Sequence, residues 1–402
     1  MNKTTTKFNP AYVLIMMCLF CATLNVFNRY FILMYAAAAA FLLYSNRIVA
    51  NGSVLLLVIY AIFLFTLGPE FRGSILSMLK PFVFPMSFII GYGLFSKESA
   101  ATSGGKKFNS AIVLLIVLAA GGFVHYLLNW SINLEVTDRQ TIDIWSGEVL
   151  MPTNQAAMAC LALGVSVGAL LSRPKLRYWL LAAAALLAIL GYNMILSGRT
   201  LILMTLILLL IAVLYSMRNN RRGRAILLVG VILFAVAAVW AYNANAFGLR
   251  SFIEESALFG RFTGEYGQEL SEDTRMDNKM GYLRELINYP FGGAHMREMF
   301  GYAHDLFLDS FDEAGWIAGL AIVIYFCASI GRLFKLLKRK HIPFMVRQLF
   351  LCTYLVVYME FFVEPVLQAS PWLLAAFCAL DGCVCAMLRV KPEQVELPET
   401  EM

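Results

Sequence analysis

Apolar residues in this chain come in uninterrupted runs of about 17 to 22, the number a helix needs to cross roughly 30 Å of hydrocarbon. Ala11 to Phe27, Leu201 to Met217 and Ala225 to Tyr242 are clear cases. The pattern predicts an all-α, polytopic integral membrane protein of about twelve transmembrane helices. They begin near Ala11, Tyr30, Ser53, Ile75, Ser110, Pro152, Tyr178, Thr200, Ala225, Gly315, Leu349 and Pro371.

Composition excludes the soluble alternative. The 402 residues are 60% hydrophobic and 14% charged, with a mean hydropathy of +0.70, whereas a soluble domain is nearer half apolar and a quarter charged. The net charge of +6 does not indicate nucleic-acid binding, because most Lys and Arg sit at helix ends, where they set orientation and bind anionic membrane lipids. All eight cysteines lie inside apolar runs, so they read as small buried hydrophobes and not as a disulfide or zinc framework. The first apolar run carries no small-residue cleavage site behind it and reads as a retained helix.

Charge alternates between successive loops. With the amino terminus in the cytoplasm, the basic loops fall inside: Lys3/Lys7, Arg47, Lys97/Lys106/Lys107, Arg173/Lys175/Arg177, Arg218 to Arg224, Arg332 to Arg347 and Arg389/Lys391. The opposite side receives short turns at Asn28 to Tyr30, Gly68 to Ser74, Ser197 to Arg199 and Glu364 to Ser370. It also receives a medium loop, Asn129 to Met151, and one long segment, Tyr242 to Glu313, with 13 acidic against 6 basic residues. Long segments translocate largely regardless of charge. The chain thus divides into nine spans within residues 1–241, the large loop 242–313, three spans within 314–388 and a cytoplasmic tail, 389–402.

The candidate chemistry gathers on the loop side opposite the basic one. Arg139, in Thr137-Asp138-Arg139-Gln140, Arg199, in Ser197-Gly198-Arg199-Thr200, and Arg275, ahead of an amphipathic stretch from Met280 to Tyr289, are fixed cations at the membrane boundary. A charge there is expensive unless paired, and guanidinium forks match phosphate oxygens. The anion such a trio suits is a diphosphate. Of the four histidines, His125, His295 and His341 read as structural or solvated. His304, in Tyr302-Ala303-His304-Asp305-Leu306-Phe307-Leu308-Asp309, stands among carboxylates, where an imidazole can act as a general base near neutral pH.

These residues resemble the O-antigen polymerase and O-antigen ligase family of bacterial surface-polysaccharide assembly. The resemblance rests on Asp138-Arg139, Ser197-Gly198-Arg199-Thr200, Thr274-Arg275 followed by a helix, Tyr289-Pro290-Phe291-Gly292-Gly293, and His304 through Gly319. It runs from about Arg139 to Ala328, with Asp305 where the family most often has Asn. It implies a GT-C-like membrane glycosyltransferase, metal- and cofactor-independent, using an undecaprenyl-diphosphate-linked oligosaccharide as donor. In that family's terms His304, Arg199 and Arg275 are catalytic. Arg139, Arg284, Tyr302, Asp305 and Asp309 contact substrate, and a chain-length regulator and a flippase are the implied partners. Polymerase is favoured over ligase. A transporter or flippase of the lipid-linked sugar is the competing class, against which stand the few intramembrane charges (Lys80, Glu360, Asp381) and the absence of paired broken helices.

The loop alternation makes a direct prediction. Alkaline phosphatase fused after Gly267 is expected to be active and a fusion after Arg222 silent; the reverse pattern inverts the topology.

Overall fold

The computed structural model describes residues 9–45, 49–100, 107–134, 140–172, 175–196, 198–219, 236, 239–254 and 274–391. Among the described residues, seven helices are long and apolar enough to cross a membrane. They are α4 (Ile75–Ala100), α5 (Asn109–Ile132), α6 (Pro152–Leu171), α7 (Leu176–Ile195), α8 (Arg199–Asn219), α11 (Leu306–Lys338) and α12 (Phe344–Val363). Four shorter apolar helices accompany them: α1 (Pro10–Thr23), α2 (Tyr30–Tyr44), α3 (Gly52–Leu67) and α13 (Pro371–Met387). Most of these eleven start close to the positions expected from the hydrophobic runs, with Asn9 capping α1 and Asn51 capping α3 through backbone amides at 3.0 Å. The span expected from Ala225 lies almost entirely outside the described residues. Two small helices, α9 (Thr274–Glu285) and α10 (His295–Phe300), lie in the segment between α8 and α11.

Small residues let the helices approach closely, as they must where lipid supplies no hydrophobic drive to association. Gly164 and Gly168, one turn apart on α6, abut the backbone of Thr353 and Leu349 on α12; a methyl group at Gly164 would come within 2.5 Å of the Thr353 Cα. Gly91 on α4 and Gly382 on α13 do the same reciprocally, against the carbonyls of Ala379 and Phe88.

Polar contacts sort the loops into two ends. At one end, which carries the candidate chemistry, His125, Asn129 and Asn133 form a stripe on α5 that holds a small antiparallel hairpin, β1 (Thr141–Ile142) and β2 (Val149–Leu150). His125 Nε2 lies 2.8 Å from Asp143 Oδ1, Asn129 accepts the Ile144 amide at 2.9 Å, and Asn133 both donates to and accepts from the Ile142 backbone. Trp145 Nε1 then donates to the Leu24 carbonyl at 3.1 Å, fixing the α1–α2 turn to the hairpin. At the other end Arg332 on α11 pairs with the buried Asp381 on α13 (Nε–Oδ1 2.9 Å) and donates to Ser53 on α3 at 2.8 Å. Tyr354 on α12 donates to the same aspartate at 3.2 Å. Lys97 reaches the Tyr44 carbonyl at this end, so Lys97 and Arg332 stand at the end of the bundle opposite the His125–Asp143 contact.

One helix departs from the sequence expectation. The span expected from Gly315 begins at Leu306, so residues 306–313, expected in the large loop, are helical and mostly buried. Gly315 is instead a break, with Ala314 at φ −135° and Gly315 at φ 77°, ψ −171°. The break releases backbone groups, and the Tyr289-Pro290-Phe291-Gly292-Gly293 loop takes them up. The Ala294 amide donates to the Asp312 carbonyl at 2.9 Å, the Gly293 amide to the Glu313 carbonyl at 3.4 Å, and the Trp316 amide to the Pro290 carbonyl at 2.9 Å.

Gly315→Ala places a methyl group 2.4 Å from the Pro290 carbonyl oxygen at a φ that L residues rarely adopt. It is expected to cost about 1–3 kcal/mol or more and to lower the thermal midpoint measured in detergent. Gly331→Ala, at a site with nothing within 4 Å of the new methyl, should leave the midpoint unchanged or raise it; equal effects of the two would refute the stitched break.

Candidate functional site

The first turns of α11 carry four carboxylates, and each holds backbone. Asp305 is the N-cap, its Oδ1 accepting the Phe307 and Leu308 amides at 3.0 and 3.2 Å. Asp309 reaches back, one oxygen accepting the Ala303 amide at 3.2 Å and the other the Asp305 amide at 3.3 Å. Asp312 accepts the Met296 and Arg297 amides at 2.8 and 3.2 Å, seating α10. Glu313 accepts the Glu70 amide at 2.5 Å, and its second oxygen is 3.4 Å from Arg297 Nη1, which also lies 3.5 Å from Glu70.

His304 is the residue between the two amides that Asp309 holds. Its φ of 53° is left-handed, a conformation uncommon outside glycine and costing roughly 1 kcal/mol or more. The flanking hydrogen bonds hold that conformation, with His304 half-buried between the buried Ala303 and Asp305. Tyr302, exposed, lies with its ring centroid 6.5 Å from the imidazole and 5.4 Å from the Arg297 guanidinium carbon.

α9 lies against this turn. It runs from Thr274 to Glu285, starting earlier than the amphipathic stretch expected from Met280 and ending before Tyr289. Tyr282 donates to the Gly301 carbonyl at 2.8 Å and packs with Met296 and Ala303 in a separate small core. Arg275 and Lys279, one turn apart and on one face, cap the end of α12. Arg275 Nη1 donates to the Val363 carbonyl at 3.4 Å, and Lys279 Nζ to the Phe362 carbonyl at 2.5 Å. Cations at these orphan carbonyls oppose the negative end of the helix dipole. Lys279 also stands 3.3 Å from Asp305 Oδ2, and Arg275 3.8 Å from Glu364 Oε1. Arg275, Lys279, Asp305 and His304 therefore belong to one cluster.

The remaining expected residues divide. Arg199 opens α8, which packs on α6 and α12, so it stands at the same end of the bundle; its Nη1 is buried without a hydrogen-bond partner among the described residues. Arg139 lies outside the described residues. Arg284 is exposed on the opposite face of α9 from Arg275 and Lys279, which turns it away from the cluster. Asp309 has both oxygens on backbone amides, and Asp305 is a cap and ion-pair partner, so neither is turned to meet a substrate.

Three further ionisable residues belong to the site and were not assigned to it from sequence. Lys279 was legible as the i+4 neighbour of Arg275 on a helix. Glu360 and Glu364, also one turn apart, face α6 from the end of α12: both are buried, and Glu364 lines a narrow cleft with Thr153, Asn154 and Ser370. Burial pushes the Glu364 carboxyl up to about 7, against the pull of Arg275, the Thr153 hydroxyl and Lys279. Burial likewise raises the Asp305 carboxyl, with Lys279 and its two capped amides opposing. A roomier hollow of about 530 Å³ opens at the other end of the bundle, but Asn51, Ser53, Leu55, Leu56, Cys385 and Arg389 line it and it lacks an acid–base pair. The sequence matches no family model and no curated protein.

Because the folded chain holds the Glu364 proton more tightly than the unfolded one, its contribution to stability is complete below the ordinary value of 4.5 and is lost as pH rises to about 7. Between these limits wild type should lose on the order of a few kcal/mol relative to Glu364→Gln. Thermal unfolding of both in detergent across that range checks it; parallel pH profiles would remove Glu364 from the account.

Proposed function

We propose that the chain is a metal-independent glycosyltransferase of the O-antigen polymerase and ligase type, acting on a polyprenyl-diphosphate-linked glycan at the periplasmic face of a bacterial inner membrane. The observation that carries this reading is the juxtaposition on α9 and the α11 cap: a pair of cations, Arg275 and Lys279, one side chain away from a histidine held in a left-handed turn. In this reading the chain has twelve spans in a GT-C-like arrangement, both termini are cytoplasmic, and the end bearing His304 is the active end.

The chemistry follows from those groups. The acceptor hydroxyl attacks the anomeric carbon of the donor, the bond from that carbon to the diphosphate oxygen breaks, and the hydroxyl proton passes to the His304 imidazole. Arg275 and Lys279, with Arg199 at the same end of the bundle, neutralise the departing diphosphate. A base within hydrogen-bond reach supplies roughly 100- to 10,000-fold of rate. Asp309 serves by fixing the turn and Asp305 by holding Lys279, a division that replaces their assignment as sugar contacts. Polymerase, with a lipid-linked repeat unit as acceptor, is preferred on the resemblance of Pro290-Phe291-Gly292-Gly293 and Phe307-Leu308-Asp309; ligation to lipid A-core uses the same donor chemistry. A flippase is disfavoured because the cations gather at one end of the bundle and not at its midplane.

Lipopolysaccharide from a strain lacking the gene tests the reading. One repeat unit on core indicates polymerase, bare core with polymer left on undecaprenyl diphosphate indicates ligase, and an unchanged ladder refutes both. With purified enzyme, His304→Gln should bind donor normally and turn over at least about a hundredfold more slowly. Arg275→Ala should lose donor binding, which Lys at that position restores poorly. Near-native turnover of His304→Gln would assign the histidine to positioning.

A further inference from the structure

α9 has three faces, and the bundle and α10 account for one side of it. At about 100° per residue, continued through the 286–288 turn that follows the helix, Arg275, Lys279, Tyr282 and Leu286 fall on the side that meets the end of α12, the His304 turn and α10. Asp277, Arg284, Glu285 and Asn288 fall on the far side. Between them runs a narrow stripe of Met276, Met280, Leu283 and Ile287, 66%, 44%, 52% and 75% exposed. Two methionines, a leucine and an isoleucine in register form a continuous apolar ridge, not scattered surface hydrophobes.

The ridge adjoins surface that already faces lipid. Trp316 Nε1 donates to the Leu286 carbonyl at 3.0 Å, tying the end of α9 to α11 immediately beyond its break. Trp316, Ile317 and Leu320 of α11 and Phe362 of α12 are exposed apolar residues on membrane-spanning helices. Phe291, exposed in the loop that stitches the break, extends the same surface. Lys279 and Arg275 pin the helix to the last carbonyls of α12, the level at which a span leaves the hydrocarbon. A helix held there with one side on protein, one apolar and one charged meets the conditions for lying in the boundary between acyl chains and headgroups.

We infer that α9 is an interfacial helix whose Met276–Met280–Leu283–Ile287 ridge is inserted in the lipid leaflet, with acyl chains as its occupant. The ridge sits about 5–10 Å below the headgroup plane, Asp277, Arg284 and Glu285 face water, and lipid embedding and the α12 cap together set the depth of Arg275 and Lys279. This placement is independent of the reaction proposed above and stands or falls separately from it.

Site-specific photocrosslinking in the full-length protein tests it. Benzoylphenylalanine is placed singly at positions 276, 280, 283 and 287, at the charged positions 277 and 284, and at 317 and 320 on α11 as references. Each protein is reconstituted in vesicles of phosphatidylethanolamine and phosphatidylglycerol, irradiated and weighed intact by mass spectrometry. Phospholipid adducts at all four ridge positions, at yields comparable to 317 and 320 and at least tenfold above 277 and 284, are expected. Adducts at 317 and 320 but none on the ridge would place the ridge in water and overturn the inference. Covalent dimers from the ridge would assign it to a second copy of the chain, and equal yields at 277 and 284 would mean a helix immersed on all sides; either also overturns it.

Discussion

Backbone hydrogen bonding where the α11 helix is interrupted governs the whole polar end of this molecule. Near a membrane an unpaired amide or carbonyl cannot rely on water, so every group released at Ala314–Gly315 must find a protein partner. The 289–294 loop supplies partners through its own main chain, while Asp309, Asp312 and Glu313 accept amides from the adjoining 302–305 turn, from α10 and from the 68–70 turn. Three other segments are thereby referred to two turns of one helix. Removing any one carboxylate strands amides in a buried setting, which is dearer than losing an ordinary hydrogen bond.

The same constraint explains which parts of the architecture were legible in the sequence. Spans are written in long apolar runs, and helices α1 to α8, α12 and α13 begin near where those runs begin. The start of α11 was not legible, because Asp305, Asp309, Asp312 and Glu313 make its first turns look like a polar loop; the amides they accept, from the adjoining turn, from α10 and from Glu70, render them structural. The site divides in the same way. Arg199, Arg275 and His304 stood out as rare residue types at boundaries. Glu364 looked like part of a short exposed turn, and its burial against Thr153 depends on the close α6–α12 contact made by Gly164 and Gly168. Arg284 separates from Arg275 for a simpler reason: it is nine residues away, which on a helix puts it near the opposite face.

Arg275 and Lys279 are already engaged within the fold, which bears on how the donor of the proposed reaction would meet them. Arg275 and Lys279 cap α12 and face Glu364 and Asp305, so an incoming anion exchanges partners and does not meet bare charges. Such an arrangement keeps the fold intact in the empty state, since cations unpaired at this depth would be costly.

The Arg332–Asp381 pair at the other end bears on how the chain is made. Each of these residues alone opposes entry of its helix into the bilayer by up to about 2.5–3.5 kcal/mol on insertion scales, and their mutual hydrogen bonds remove much of that opposition. Asp381 lies in α13, whereas Arg332 and Ser53 lie in helices that precede it in the chain and are synthesised earlier. α13 is thus marginal on its own and complete only when it docks on a partner already waiting in the membrane. Docking of α13 therefore doubles as a check on the earlier fold: Arg332 must already be seated in α11, steadied by Ser53 of α3, for Asp381 to find its counter-charge.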